Sequence, residues 1–165
     1  MSSVVTIRSA TSQDQDRIWE ILEPVLSTGE TYALPSNWNK EEALAFWCDE
    51  NKETFVAECD ETILGTYFMK PNGMGGLSHI ANCGYITGYK ARGRGVASQM
   101  CEHSQSKALE LGYTAMQYNC VVSTNTGAVR LWQRWGFDIV GTLPKAFNHA
   151  TQGMVDAYIM YKKLS

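Results

Sequence analysis

Hydrophobic positions in the first half of the chain follow the spacing of a strand, then of helices, then of strands again. The predicted elements of this half are, in order, a strand at residues 4–8, a helix with Ile18, Ile21, Leu22 and Val25 on one face, a helix at 40–50, and a hairpin of strands at 54–59 and 62–69. A capping box at residues 11–14 precedes the first helix, and Pro24 should kink that helix or mark its last turn. Residues 29–39 predict a loop.

The second half continues the alternation, with glycines where helices should stop. Its predicted elements are a strand at residues 79–89, a helix from about Arg94 to Gly112, a strand at 114–122, a helix at 126–135 ending at Gly136, and strands at 137–141 and 154–161. The predicted order is therefore β α α β β β α β α β β. A hairpin among mixed strands and helices favours an α+β sandwich over a doubly wound parallel sheet.

Composition and charge fit one globular domain over residues 1–165. The chain is 44% hydrophobic and 19% charged, with a net charge of −3. Residues 1–70 hold 13 acidic and 5 basic residues, a balance of −8, whereas residues 71–165 hold 4 acidic and 9 basic residues, a balance of +5. This balance argues against nucleic-acid binding, which needs a basic face, but a small anionic ligand could bind the second half.

Targeting and metal signals are not evident in the sequence. The N-terminus lacks the basic and apolar regions of a secretory signal, and no apolar run approaches the roughly 18 residues of a membrane span. The five cysteines and three histidines are scattered rather than spaced as zinc ligands. We therefore expect reduced, mostly buried thiols in a cytoplasmic protein without a metal or a membrane partner; a nucleophilic cysteine is the alternative.

A glycine-rich turn carries the clearest chemical signal. Residues 85–98 predict the end of a strand, a turn with three basic residues, and the start of an amphipathic helix. Glycines allow a ligand close to the backbone, and a helix start offers free N–H groups to phosphate. The turn lacks the leading βαβ unit of a dinucleotide-binding fold and the G-K-[ST] of a P-loop. The alternative is a basic helix start that binds nothing.

Two motifs resemble one family at this point. Arg92-Gly93-Arg94-Gly95-Val96-Ala97 resembles the Arg/Gln-x-x-Gly-x-Gly/Ala signature of the GCN5-related N-acetyltransferases (GNAT). Asn125-Thr126-Gly127-Ala128, followed by Gly136-Phe137, resembles the second element of that family. The resemblance implies the GNAT fold, a mixed, mostly antiparallel sheet of about seven strands with about four helices. It also implies an N-acetyltransferase with acetyl-CoA as cosubstrate and a small-molecule amine as its partner.

The resemblance assigns coenzyme contacts to the turn and its neighbours. The implied cofactor-binding residues are Tyr85, Ile86 and Thr87 for the pantetheine arm, Arg92, Gly93, Arg94, Gly95, Val96, Ala97 and Ser98 for the pyrophosphate, and Asn125 for the adjoining region. Lys90 and Arg130 are implied as further sources of positive charge. For Asn125 the alternative is a helix N-cap, and both roles can hold together.

The acid and base positions of the family are replaced. Trp132 stands where many members have a tyrosine general acid, and Asn82 stands where phosphinothricin-type enzymes have a glutamate. Since a carboxamide cannot accept a proton at neutral pH, we expect Asn82 and Asn119 to position the amine, or else to satisfy backbone groups at an irregularity of the sheet. Tyr85 and Tyr118 are unranked substitutes for the acid.

A set of three asparagines, one loop and the C-terminal tail resembles the azetidine-2-carboxylate N-acetyltransferases, which acetylate proline analogues. The set consists of Asn82, Asn119 and Asn125, the loop at residues 29–35, and the tail at residues 144–149 and 155–161. This resemblance implies detoxification of a small amino or imino acid, a possible homodimer, and a pocket lined by Glu30, Thr31 and Tyr32. Phe147 and His149 would close its far side or lie in a surface loop. The alternatives are a phosphinothricin or methionine sulfoximine acetyltransferase, a non-catalytic acyl-CoA-binding module, and a purely structural domain.

Overall fold

Seven strands form a single sheet in the computed structural model, which describes residues 4–165; residues 1–3 of the predicted domain lie outside that range. The strands are β1 (Thr6–Ser9), β2 (Glu53–Cys59), β3 (Thr62–Pro71), β4 (Ile80–Thr87), β5 (Ala115–Val122), β6 (Asp138–His149) and β7 (Gly153–Lys163). They lie in the order β1-β2-β3-β4-β5-β7-β6. Only the β4–β5 pair is parallel; the others are antiparallel. The predicted mixed, mostly antiparallel sheet is confirmed.

Four α-helices cover the two faces of this sheet. They are α1 (Gln15–Leu26), α2 (Lys40–Trp47), α3 (Val96–Glu110) and α4 (Thr126–Arg134). Pro24 lies in the last turn of α1, which is one of the two positions predicted for it, the other being a kink within the helix. None of the helices within residues 4–165 is long and apolar enough to cross a membrane.

Two hydrophobic clusters lie on opposite sides of the sheet. The predicted apolar face of α1 is buried against α2 and one face of β2, β3 and β4. The other cluster packs α3 and α4 against the opposite face, where Met100, Met116 and Met160 are fully buried. Because side chains alternate along a strand, Asn82, Gly84 and Ile86 face the α1–α2 side, whereas Cys83 and Tyr85 face the α3–α4 side.

The end of α2 and the length of β6 differ from prediction. Helix α2 ends at Trp47 rather than at residue 50, because Asp49 accepts the Asn51 N–H at 2.8 Å and forms a turn there. The strand predicted at 137–141 continues to His149 through irregular register between Leu143 and Phe147. Apolar and polar residues do not alternate across this irregularity, so the sequence pattern placed the end of the strand too early.

The surface loop considered for Phe147 and His149 is therefore wrong. Both side chains are buried at the end of β6. His149 Nδ1 accepts the N–H groups of Thr151 and Gln152 at 3.2 and 3.1 Å, which fixes the β6–β7 turn. The N–H of Ala150 donates to the Gly29 carbonyl at 3.2 Å, so this turn packs on the loop after α1.

Strands β4 and β5 separate along their length. Their register contains only the pairs Ile80–Ala115 and Ala81–Met116, although β4 stays paired with β3 as far as Thr87 on its other side. Strand β5 is irregular against β7 between Tyr118 and Val121. The carboxyl halves of β4 and β5 therefore border an opening in the middle of the sheet.

Candidate active site

A cleft of about 910 Å³ occupies the opening between β4 and β5. Its lining includes residues from the α1–α2 side, such as Tyr32 and Phe68, and residues from the α3–α4 side, such as Val96 and Trp132. The cleft thus runs through the plane of the sheet and connects both faces. Two ligands that approach from opposite faces can meet in it.

The glycine-rich turn forms one wall of the cleft. Gly93 and Gly95 have φ values of 78° and 77°, and a Cβ on either would meet no atom within 4 Å. These left-handed positions favour glycine, and they bring the chain into α3 at Val96. Among the residues that the structure describes, no side chain caps this helix, so its first N–H groups are available to an anion.

Basic side chains are unevenly placed around this turn. Arg92 lines the cleft, and its guanidinium lies 4.1 Å from the centre of the Tyr89 ring. Lys90 and Arg94 are exposed beside the turn and are not among the lining residues. Arg130 lies outside the cleft, on a neighbouring depression of about 680 Å³.

The first turn of α4 closes the α3–α4 side of the cleft. Asn125 lines the cleft, and its Oδ1 accepts the Ala128 N–H at 3.4 Å, so it caps the helix as the alternative reading of the sequence had it. Trp135 Nε1 donates to Ser98 Oγ at 2.9 Å and joins the start of α3 to the end of α4.

The unpaired edge of β4 is available to an extended ligand. Beyond Ala81 the register with β5 ends, so the backbone groups of Tyr85, Ile86 and Thr87 that point toward β5 face the cleft. An extended chain can add to such an edge by main-chain hydrogen bonds. This is where the resemblance placed the pantetheine arm.

Four amide side chains lie at the point where the strands part. Asn82 Nδ2 donates to the main-chain carbonyl of Gln117 at 3.0 Å and so bridges β4 to β5. Gln117 Nε2 donates to Asn119 Oδ1 at 2.9 Å, and Asn119 Nδ2 donates to Asn72 Oδ1 at 2.7 Å. Asn82 and Asn119 both line the cleft, and of their two side-chain oxygens only Asn82 Oδ1 has no hydrogen-bond partner within residues 4–165. The sequence did not single out Gln117 or Asn72.

Trp132 lies over a chain of buried hydroxyl groups. Its ring centre is 5.0 Å from those of Tyr85 and of Tyr118. Ser104 Oγ donates to the Cys101 carbonyl at 2.7 Å, so it accepts from Tyr85 Oη at 2.6 Å. Tyr118 Oη then donates to Tyr85 Oη at 3.0 Å. Burial raises the pKa of both tyrosines well above its usual value, and both hydroxyls stay protonated.

On the other side, Thr31 and Tyr32 line the cleft and Glu30 does not. The Glu30 N–H donates to Thr28 Oγ1 at 3.3 Å in the turn after α1. The Tyr32 hydroxyl lies over Gly84, where a Cβ would be 2.2 Å from it, and burial raises the pKa of this tyrosine. Gly84 is a site residue that the sequence did not reveal, because nothing local distinguishes a glycine needed for a distant side chain.

No carboxylate or histidine from the described part of the chain lines the cleft, whose charged side chains are Arg92 and Arg134. Cys83 also lines it, and burial raises the pKa of its thiol, which disfavours a thiolate nucleophile. Within residues 4–165, no group of three or more histidine, cysteine or acidic side chains could hold a metal ion. The described lining of the cleft therefore offers no ordinary base at neutral pH.

Comparison with known proteins matches most of the chain to one family. The model of the acetyltransferase (GNAT) family matches residues 16–137. The N-acetyltransferase aca1 of Schizosaccharomyces pombe is 32% identical over 99 residues, which are 59% of this chain and 47% of that protein. This chain thus spans about half the length of that relative.

Solved structures share the fold. A GCN5-related N-acetyltransferase from Kribbella flavida is 37% identical, with a TM-score of 0.92 over 96% of this chain and 97% of its own. The structure of yncA from Salmonella typhimurium with its cofactor acetyl-CoA has a TM-score of 0.86 over 99% of this chain and 95% of its own, at 18% identity. The second likeness concerns the fold alone. The predicted GNAT fold is confirmed.

Proposed function

Because this chain belongs to the acetyltransferase (GNAT) family, we propose that it transfers the acetyl group of acetyl-CoA to the nitrogen of a small amino or imino acid. The amine attacks the thioester carbonyl directly, the C–S bond breaks, the nitrogen loses its proton to water, and coenzyme A leaves as its thiolate. Residues 1–165 would form one N-acetyltransferase domain. The cytoplasmic location, the role in detoxification and the homodimer expected from the resemblance stay predictions.

Coenzyme binding is assigned to the α3–α4 side of the cleft. The open left-handed turn at Gly93 and Gly95 and the uncapped start of α3 suit a pyrophosphate, with Arg92 adding charge. The free edge of β4 at residues 85–87 suits the pantetheine arm, which then points the thioester into the strand opening. Arg94, Val96, Ala97, Ser98 and Asn125 complete the proposed coenzyme site.

The substrate amine is assigned to the α1–α2 side, at Asn82. The hydrogen bond to the main-chain carbonyl of Gln117 uses the Nδ2 of Asn82, a cleft-lining residue, and leaves its Oδ1 as the acceptor for a substrate N–H. An amine that donates its N–H to this oxygen has its lone pair directed elsewhere, toward the thioester. The hydrogen bond from Asn82 Nδ2 to Gln117 is the observation that carries the proposal. It leaves an oxygen that can accept the single N–H of a neutral secondary amine. Asn119 would hold the rim beside it.

The leaving group needs little acid catalysis. A thiol pKa of about 8.5 makes coenzyme A a tolerable leaving group at neutral pH. Tyr118 is the first hydroxyl of the buried chain and can redirect its proton to sulfur at the cost of one hydrogen bond, whereas the proton of Tyr85 is held by Ser104. We therefore rank Tyr118 above Tyr85 as the hydrogen-bond donor to the leaving sulfur.

A proline analogue is the substrate that this pocket suits best. Thr31, Tyr32, Leu34, Phe46 and Phe68 give the substrate side an uncharged, mainly apolar and aromatic lining. A compact ring fills such a pocket, and a carboxylate base of the phosphinothricin type is replaced by Asn82. The sequence resemblance to azetidine-2-carboxylate N-acetyltransferases supports the same class.

The experiment is a substrate panel with the unmodified protein. Thiol release from acetyl-CoA is measured with azetidine-2-carboxylate, hydroxyproline, phosphinothricin and methionine sulfoximine, and acetyl-CoA binding is measured in parallel. We expect turnover with the two cyclic amines. Turnover with only the last two would favour the phosphinothricin class, and tight coenzyme binding without any turnover would favour a non-catalytic acyl-CoA-binding module.

A further inference from the structure

Lys52 places an ammonium group behind the aromatic wall of the proposed substrate pocket. It lies in the turn between α2 and β2, and its Nζ is 3.2 Å from the centre of the Phe46 ring and 4.5 Å from that of Phe68. The same Nζ donates a hydrogen bond to the Phe46 carbonyl. The lysine is thus held in one position against both rings.

The two rings connect this ammonium to the cleft. Phe46 and Phe68 both line the cleft, and they pack edge to face with centroids 5.8 Å apart. Phe68 reaches β4, where a Cβ on Gly84 would be 2.6 Å from its ring. Gly84 is two residues from Asn82, so the wall extends from Lys52 to the proposed amine position.

The charges around Lys52 leave it positive at neutral pH. Burial and the neighbouring Lys70 on β3 lower its pKa to about 8, whereas Asp49 and Cys48, both at the end of α2, favour the charged form. Within the described part of the chain, no carboxylate lines the cleft to offset this charge. The positive potential therefore extends through the wall into the pocket.

We propose that Lys52 is a specificity-determining residue that, through Phe46 and Phe68, disfavours the protonated amine in the pocket and favours the neutral amine. This inference rests on the proposed function. A cation against an aromatic face is normally attracted by the ring. Lys52 contacts the same two rings without lining the cleft, so its charge opposes that attraction. Only the neutral amine has a lone pair for the thioester, and the cleft holds no carboxylate to remove its proton.

The inference links affinity to pH quantitatively. If Lys52 weakens binding of the cationic form by about tenfold relative to the neutral form, it lowers the pKa of the bound amine by about one unit. The kcat profile reports groups in the enzyme–substrate complex. The pKa of Lys52 is itself about 8, so this effect acts only while Lys52 is charged. Loss of the charge should therefore lower kcat at pH 7 about tenfold for each tenfold gain in affinity for the cation, and should leave kcat at about pH 10 unchanged.

The test compares Lys52→Met, which removes the charge but keeps the chain length, with Lys52→Arg, which keeps the charge. Binding of N,N-dimethylproline, a permanent ring cation, and of cyclopentanecarboxylate, its uncharged-ring counterpart, is measured by calorimetry at pH 7 with acetyl-CoA present. Lys52→Met should bind the cation about tenfold more tightly than the unmodified protein, with cyclopentanecarboxylate unchanged. At pH 7 Lys52→Arg should behave as the unmodified protein, and kcat at pH 7 should fall only in Lys52→Met.

Equal changes for the two ligands, or the same change in Lys52→Arg, would show that Lys52 only supports the wall and would overturn the inference while leaving the proposed function intact. If neither ligand binds any variant although acetyl-CoA does, the pocket does not accept cyclic amino acids. That result would contradict the proposed function and the inference with it.

Discussion

Asn82 illustrates how a single side chain can replace a base by orientation. Its Nδ2 is committed to the Gln117 carbonyl, which leaves an oxygen that can hold an N–H but cannot take a proton. The amine must then arrive neutral or lose its proton to water. The side-chain oxygen and nitrogen of Asn119 are hydrogen-bonded to Gln117 and Asn72, so we propose that Asn119 supports the edge of the cleft beside Asn82.

The pH dependence of acetyl transfer should follow the substrate rather than the protein. The value of kcat/KM is expected to rise about tenfold per pH unit up to the pKa of the amine, since only the neutral amine reacts. Azetidine-2-carboxylate can be compared with thiazolidine-4-carboxylate, whose ring sulfur makes the amine more acidic. The inflection should lie at lower pH for the second substrate; an identical inflection for both would reveal a base in the protein.

Gly84→Ala should damage the substrate side alone. The added Cβ would lie 2.2 Å from the Tyr32 hydroxyl and 2.6 Å from Phe68, so both must move, at a cost of about 1–3 kcal/mol in the free energy of unfolding. We expect KM for the amine to rise about tenfold with acetyl-CoA affinity retained. Gly76→Ala, where a Cβ meets nothing within 4 Å, is the control, and a matching loss of coenzyme affinity in Gly84→Ala would contradict the division of the cleft.

The start of α3 and the parting of β4 from β5 are the two elements that create the site. The strands share only two register pairs, and the helix begins on a left-handed glycine with its first N–H groups free for a ligand. The parting of the strands gives access through the sheet, and the start of α3 places the positive end of a helix dipole beside the opening. Neither element requires a charged group inside the opening.

Gly95→Glu should abolish acetyl-CoA binding. A carboxylate there would stand where the phosphates are proposed to lie and would repel them. Gly112→Glu is a matched control, since Gly112 also has a positive φ, of 91°, and open space around it, but follows the far end of α3. Calorimetric titration with acetyl-CoA should show no binding for the first and ordinary binding for the second; equal loss in both would indicate backbone strain rather than a phosphate site.

Across the whole molecule, an ion-pair network holds the first strand and helix to the sheet. Arg8 on β1 donates to both carboxylate oxygens of Asp14 at 2.8 and 2.9 Å and to Glu58 on β2 at 3.1 Å. The Asp14 carboxylate also accepts the Thr11 N–H at 2.7 Å. The pair with Arg8, chiefly its hydrogen bonds, lowers the pKa of Asp14 from 3.8 to about 2.

Asp14→Asn should lower the free energy of unfolding by about 2 kcal/mol at pH 7. A carboxyl group whose pKa is lower in the folded state than in the unfolded state stabilises the fold at pH values above the unfolded-state pKa. This contribution is lost as the pH falls from about 4 toward 2, so the variant and the unmodified protein should converge there. Urea unfolding at pH 7 and at the acid end checks this. The exposed Asp16, paired with Lys40, is the control, and Asp16→Asn should change little; a pH-independent Asp14→Asn deficit would point to packing instead.

Much of the fold and part of the site could be predicted from the sequence. The helix faces, the hairpin and the glycine-rich turn depend on local spacing, and the two motifs carried the resemblance to the family. The length of strand β6 was underestimated because the irregular register between Leu143 and Phe147 interrupts the alternation of apolar and polar residues. The Asn119–Asn72 and Tyr32–Gly84 contacts join residues 47 or more positions apart, and the position of Lys52 behind two rings depends on tertiary packing. No local pattern encodes such contacts.

The most direct test of the central claim is the rate of thiol release with azetidine-2-carboxylate in Asn82→Ala, at saturating acetyl-CoA, together with the dissociation constant of acetyl-CoA. If Asn82 orients the amine at the opening of the sheet, kcat/KM should fall by about a hundredfold while the coenzyme affinity stays unchanged. Asn148→Ala, on the exposed part of β6, should leave both values as they are. An unchanged rate in Asn82→Ala would contradict the account and place the amine elsewhere.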